Sequence, residues 1–263
     1  MNLGISGNSA VVTGSSRGLG KASAAALARE DAHVVINGRH AEDVNATVEA
    51  LDELGRGEVR GCVGDITNDN DVSELIETAV SAFGGVDHLV TSAGGPPEGL
   101  LGEISDEEWQ AGFDLLVMSY LRVLREAAEY LQADGGGTVV DIESISVKET
   151  FGSLGLGSTV RMPTIGIGKI MARDLAPEVR VNTVLPGLYE TGRFEEHVQH
   201  GVEDGKFETY EDGVENYGAA APLDRIGDPS ELGSVVAFLS SEQSSFLTGA
   251  AIPVDGGMTN SNL

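Results

Sequence analysis

The segment Val11-Val12-Thr13-Gly14-Ser15-Ser16-Arg17-Gly18-Leu19-Gly20 concentrates the most chemistry in this 263-residue chain. An apolar run leads into glycines spaced G-x-x-x-G-x-G, and an alanine-rich segment from Lys21 to Arg29 follows. Strand, glycine turn and helix in that order form a phosphate cradle. The glycines let backbone N–H groups approach a pyrophosphate, and the positive end of the helix dipole lies behind them. Such a motif is weak alone; its place at a strand–helix junction near the N-terminus gives it weight.

The elements that must position this cradle follow from the apolar pattern. Strand-like runs are expected at Ala10–Thr13, His33–Asn37, Val59–Val63, His88–Thr91, Thr138–Ile142, Arg180–Leu185 and Ala251–Val254. Helix-like segments at Lys21–Arg29, Ala41–Leu54, Asp69–Phe83, Asp106–Leu131 and Ser158–Leu175 are long enough to be crossovers. This alternation implies an α/β fold, a doubly wound parallel sheet of seven strands with helices on both faces. No repeat, low-complexity tract or linker divides the chain, so residues 1–263 are expected to form one domain. One stretch breaks the alternation: from Tyr189 to Tyr217 the chain is polar, acidic and dotted with glycine. It leaves the carboxyl end of the sixth strand, where ligands bind in open α/β sheets, so residues 189–217 read as a substrate lid or, alternatively, a solvated surface excursion.

Composition restricts the function classes. There are 42 acidic residues against 16 basic ones, a formal net charge of −26. That field repels nucleic acid and anionic membranes, so neither is an expected partner. The acids are spread along helix-like segments, unlike a disordered acidic tail. The balance resembles that of cytoplasmic proteins from extreme halophiles, whose self-repulsion is screened by molar salt. No apolar stretch is long enough to span a bilayer and no signal peptide is evident. The single cysteine, Cys62, lies in a strand-like run and reads as a buried, inert thiol. A cytoplasmic location is the expectation.

Taken in order, the motifs resemble those of the short-chain dehydrogenase/reductase family, almost from end to end. Thr13 to Gly20 matches the family's T-G-x-x-x-G-x-G; Gly64-Asp65-Ile66 matches the acid that bonds the adenine amino group; and Ser92-Ala93-Gly94 matches the N-A-G turn, with serine replacing asparagine. Asn182 through Pro186-Gly187 to Thr191 resembles V-N-x-V-x-P-G-x-x-x-T, and Pro222 to Gly227, Thr248-Gly249 and Val254 to Gly257 match the C-terminal signature. The resemblance implies a Rossmann-type fold and a dinucleotide bound by Gly14, Ser16, Arg17, Gly18, Leu19, Gly20, Arg39, Asp65, Ile66, Ala93, Gly94, Pro186, Gly187 and Thr191. NAD-preferring members usually carry an acid after the second strand. Here the turn is Asn37-Gly38-Arg39, and Arg17 lies in the glycine loop. Two guanidinium groups suit a 2′-phosphate, so NADP(H) is expected to be preferred, with NAD(H) possible.

The catalytic pattern departs from the family. Its serine falls on Ser144 in Ile142-Glu143-Ser144, but the tyrosine and lysine positions fall on Gly157 and Arg161, and the asparagine position on Leu116. The resemblance leaves Ser144 to polarise a carbonyl and Arg161 to anchor the nicotinamide ribose. Arginine supplies charge and donors but no transferable proton. Tyr189 and Lys148 are candidate replacement acids, with ordinary surface roles as the alternative. His197 and His200 are spaced to share one face of a helix, but no ligand cluster accompanies them and no metal is expected.

Two functions remain open on this reading. One is an NADP(H)-dependent oxidoreductase interconverting a carbonyl and an alcohol, resembling 3-oxoacyl reductases, with a small-molecule substrate. The other is a catalytically degenerate dinucleotide-binding protein with a regulatory or structural role. Apolar positions such as Leu115, Leu116, Leu121 and Leu124 fit either burial in the monomer or a subunit face. The family's habit implies a homotetramer or homodimer.

Overall fold

The computed structural model describes residues 2–97, 99–133, 135–150 and 155–261. Seven parallel strands form one sheet in the order β3-β2-β1-β4-β5-β6-β7. They are β1 (Ser9–Val12), β2 (His33–Gly38), β3 (Val59–Val63), β4 (His88–Ser92), β5 (Gly137–Ile142), β6 (Val179–Pro186) and β7 (Ala251–Val254). The expected strand ends move by a residue or two. Thr13, expected at the end of β1, lies beyond it: its hydroxyl donates to the Ser92 carbonyl at 2.8 Å and accepts from the Ser92 N–H at 2.8 Å. The first turn is thereby pinned to the strand next door.

The helices are α1 (Gly18–Arg29), α2 (Ala41–Asp52), α3 (Asp69–Phe83), α4 (Asp106–Phe113), α5 (Ser119–Leu131), α6 (Gly155–Asp174), α7 (Gly192–Glu203), α8 (Tyr210–Gly218) and α9 (Pro229–Ser240). On one face α1, α2 and α9 bury Leu27, Leu51 and Leu232 with β1 and β2 side chains such as Val12 and Ile36. On the other α3, α5 and α6 bury Leu75, Leu124 and Ala172 with Val11, Leu89 and Val139. Successive side chains of a strand serve opposite layers, which is why its apolar run is unbroken. The strand order turns back at β1 and β4, so a crevice opens beyond their carboxyl ends.

Three local outcomes differ from the sequence expectation. The segment 106–131 is interrupted by a π-helical turn, Asp114–Met118, between α4 and α5. Such turns insert a residue into the α-helical ladder and recur at functional sites. Residues 189–217, expected to be a substrate lid or a solvated excursion, contain α7 and all but the last residue of α8, started by the side-chain caps Thr191 and Thr209. They carry a small core of their own, in which Phe194, Val198 and Ile226 pack with Tyr210 and Tyr217. Finally, α9 was not anticipated, although its start is written in the chain: Asp228 and Glu231 form a capping box around Pro229. Gly233 lets α9 lie against α1, since a Cβ there would stand 2.5 Å from the Ala22 carbonyl oxygen.

Candidate active site

The glycine turn is built by close backbone approaches. Gly14 has φ +54°, and a Cβ on it would lie 2.5 Å from the Ser92 carbonyl oxygen. A Cβ on Gly20 would lie 2.5 Å from the Gly14 carbonyl oxygen. Beneath the turn, the side chain of Asn37 is buried. Its oxygen accepts from the Gly14 N–H at 3.2 Å, and its amide donates to the carbonyls of Cys62 (3.4 Å) and Gly64 (3.2 Å). Asn37 thus braces three strand ends from below, and Arg39, just past the end of β2, is exposed.

Helix α1 begins with Arg17 at its N-cap, without a side-chain cap and without an acid in its first turn. Its first N–H groups and dipole are left for an anion. Gly18 (φ +59°) faces Thr191 across the crevice, with the threonine methyl 3.9 Å from where a Cβ would sit. Gly14, Gly18, Gly20 and Thr191 are therefore brought together, as a diphosphate would require. Arg17 and Arg39 lie on adjoining loops, because a Cβ on Gly38 would stand 2.6 Å from the Ser16 hydroxyl. Asp65 follows β3. Burial opposes its ionisation, yet the N–H and hydroxyl of Thr67, at 2.9 and 2.8 Å, and the charge of Arg39 hold its carboxyl below the ordinary value. A dinucleotide with a phosphorylated adenosine ribose fits this half: a cradle without side chains, an uncapped helix start and two arginines at its edge.

The other half is organised by an ion pair. Arg161 on α6 donates from Nη1 to Glu143 Oε2 at 2.7 Å, with side-chain exposures of 11% and 3%. Glu143 stands between the end of β5 and Ser144, so Arg161 and the Ser144 turn are brought together. Ser144 is half-buried and starts a short 3-10 turn, its hydroxyl accepting from the Ser146 N–H at 3.1 Å. Gly157 lies one helical turn before Arg161. Among the described residues a Cβ there would meet only Pro96, 3.7 Å away, so its side points toward the loop after β4. Leu116 sits in the π-helical turn, buried with Leu156 and Val160.

The structure removes one candidate acid. Tyr189 is buried, and its hydroxyl donates to the Val254 carbonyl at 2.8 Å; burial first, and then Glu231 and Asp255, push its pKa up to about 12. It is a packing residue beneath Gly227, where a Cβ would stand 2.7 Å from the tyrosine ring. Lys148 stays near Ser144, closing the 3-10 turn. His197 Nε2 lies 2.8 Å from the Tyr217 hydroxyl inside the α7–α8 unit. Among the described residues, no group of His, Cys, Asp and Glu is arranged to hold a metal, and no helix is long and apolar enough to cross a membrane.

Sequence reasoning missed Glu143 as a partner and Asp141 altogether. Asp141 points from the same face of β5, is 3% exposed, and accepts a hydrogen bond from the Thr91 hydroxyl at 2.6 Å. Their signal was present: Asp141 and Glu143 flank Ile142 directly after the apolar pair Val139-Val140, and a buried carboxylate needs a partner.

A family model described as enoyl-(acyl carrier protein) reductase matches residues 14–259. Dehydrogenase/reductase SDR family member 4 of Oryctolagus cuniculus is 33% identical over 250 residues, covering 94% of this chain and 92% of that protein. The 3-oxoacyl-[acyl-carrier-protein] reductase of Vibrio cholerae serotype O1 is 31% identical over 259 residues, covering 97% and 99%. The crystal structure of L-sorbose reductase from Gluconobacter frateurii, complexed with NADPH and L-sorbose, superposes with a TM-score of 0.95 at 30% identity, covering 99% of this chain and 100% of that one.

Proposed function

We propose, starting from the fact that this chain belongs to the short-chain dehydrogenase/reductase family, that it is an NADP(H)-dependent oxidoreductase interconverting a carbonyl and an alcohol on a small molecule. One observation carries the cofactor half: the uncapped start of α1, cradled by Gly14, Gly18 and Gly20 and edged by Arg17 and Arg39. The NADPH named with the L-sorbose reductase supports the same reading. Ser16, Leu19, Ile66, Ala93, Gly94, Pro186 and Gly187 complete the dinucleotide site on this assignment, with Asp65 at the adenine. Arg17 and Arg39 would grip the 2′-phosphate, each able to donate two parallel hydrogen bonds.

When bound, the reduced cofactor supplies a hydride to the carbonyl carbon. Ser144 would donate a hydrogen bond to the carbonyl oxygen as negative charge develops there. Arg161, with one N–H held by Glu143, keeps other donors for the nicotinamide ribose. Helices α7 and α8 would close the substrate side of the cleft. We read the chain as one domain, cytoplasmic and homo-oligomeric, with its acidic surface screened by high salt.

Gly157, where the family's acid would stand, favours a second reading: a dinucleotide-binding protein that does not turn over. NADPH-linked turnover across a panel of ketones and alcohols in molar potassium chloride decides between them. Reduction of at least one carbonyl class supports the enzyme; tight NADPH binding without turnover supports the binding protein.

A further inference from the structure

A small cavity of mixed polar and apolar lining lies beside the Glu143–Arg161 pair, with Leu116, Val123 and Ile142 as its apolar part. Thr13, Ile66, Ser92 and Ala93 line it from the cofactor side, and Asp141, Glu143, Arg161 and Tyr120 from the interior. It has room for about one water, with enough polar groups around it to hold one. Two atoms in this region are buried without a hydrogen-bond partner among the described residues: the Tyr120 hydroxyl and Asp141 Oδ2. Asp141 faces Thr91 of β4 on one side and Thr183 of β6 on the other, in strand register. The Tyr120 hydroxyl from α5 lies above them, 3.6 Å from the Cβ position of Gly168 on α6. Glu143 and Arg161 complete the charged groups around Asp141.

The charge arithmetic of this cluster is unbalanced. Two buried carboxylates face one guanidinium, and two ionised carboxylates have no proton with which to bond each other. Glu143 lies close enough to hydrogen-bond Asp141 once one of them is protonated. Burial, and then the charge of Glu143, drive the Asp141 carboxyl well above its ordinary value, against the opposing pull of Thr91 and Arg161.

We propose that Asp141 holds a proton next to Glu143 and Arg161, and that this buried proton is the acid that the site draws on in place of the missing phenol. The inference rests on the oxidoreductase reading. In reduction, hydride adds to the carbonyl carbon and the carbonyl π pair moves to oxygen. The proton leaves Asp141 for that oxygen by way of water in the cavity. The two carboxylates then carry two negative charges against Arg161, and Asp141 regains a proton from solvent; oxidation runs the same transfers in reverse. Asp141 and Glu143 touch neither substrate nor cofactor in this scheme and are positioning residues for a proton.

The test pairs infrared spectroscopy of the whole protein with the pH profile of single-turnover carbonyl reduction. Wild type should show a protonated-carboxyl C=O band at neutral pH, without cofactor. The band should vanish at alkaline pH with the midpoint at which the rate falls. Asp141→Asn should remove the band, abolish that alkaline limb and slow reduction by about 10²-fold, the low end for general acid catalysis, while NADPH affinity stays within about twofold, well under the tenfold worth 1.4 kcal/mol. Glu143→Gln guards against a variant that does not fold: Arg161 then stands alone beside Asp141, which should ionise and lose the same band. A wild type lacking the band, or an Asp141→Asn protein with unchanged rate and profile, would overturn the proposal. A wild type that shows the band and binds NADPH but reduces nothing would instead sink the oxidoreductase reading, and the supply role with it.

Discussion

The two halves of the cleft are held by different kinds of force. On the β1–β2 side the parts are backbone: Gly14 and Gly20 sit where a Cβ would meet carbonyl oxygens at 2.5 Å, and Asn37 ties the strand ends from below. On the β5–α6 side they are side chains: Glu143 and Arg161 pair at 2.7 Å, with Asp141 behind them. A backbone cradle tolerates few residue types, so it is visible as a motif. A buried charge cluster needs only that each member finds a partner, a counter-charge or a proton, so different residues can meet the same need. The expected family pattern can accordingly be read residue by residue in the glycine turn, whereas the positions counted for the family's tyrosine and lysine carry Gly157 and Arg161.

If that contrast is right, removing Arg161 should cost far more than removing Arg39. Arg161→Met leaves Glu143 buried beside Asp141 without its cation, and breaking a buried pair from one side costs about 3–5 kcal/mol. Denaturant unfolding in molar salt should show that loss. Arg39 is exposed, so Arg39→Ala should leave stability unchanged on the same assay. Equal losses would erase the distinction between the halves.

A second change asks whether the β5–α6 half can be given the family pattern. Gly157→Tyr with Arg161→Lys puts a phenol on the side facing Pro96 while keeping a cation near Glu143. Direct donation from a phenol should outpace supply from below. An activated ketone should be reduced about 10²-fold faster by the double variant, whereas Arg161→Lys alone should change the rate little. A folded, NADPH-binding double variant with no gain would place the barrier elsewhere, with Leu116 as the next position to test.

In the cofactor half the expected effect is smaller and confined to one ligand. Arg39→Ala should weaken NADPH by about tenfold, the lower end for a charge-assisted hydrogen bond, and leave NADH nearly unchanged by calorimetry. Equal weakening of both would contradict the 2′-phosphate assignment. The mildest test reads a slope. Because Asp141 is held above its ordinary value, its neutral form favours the fold at low pH, and that contribution fades as pH rises toward the raised value. Asp141→Asn should melt above wild type at alkaline pH and lose the advantage in acid; parallel melting curves would speak against a raised carboxyl.

The sheet was legible in the sequence because buried parallel strands are continuous apolar runs. Val59–Val63 and Ala251–Val254 fall where the pattern puts them, and the other strands shift only at their ends. The π-helical turn in 114–118 was not legible, since Leu115, Leu116 and Val117 read equally well as an uninterrupted helix face. Helices α7 and α8 were obscured by acids and glycines that carry no sheet period, although Thr191 and Thr209 mark their starts. At the site, Gly14, Gly18 and Gly20 announce themselves because only glycine fits. Tyr189 was misread because a tyrosine after Pro186-Gly187 could face either the cleft or β7, and only the packing of Gly227 against its ring decides.

The proposed oxidoreductase must transfer hydride from NADPH to a carbonyl with glycine at position 157. The direct measurement is mass analysis of the alcohol formed when the protein, in molar potassium chloride, is given a ketone panel and NADPH deuterated on one face of nicotinamide C4. An alcohol with a single deuterium on the carbinol carbon, from one of the two labelled faces, is the expected product. NADPH that binds tightly yet delivers no deuterium from either face to any member of the panel would contradict the proposal.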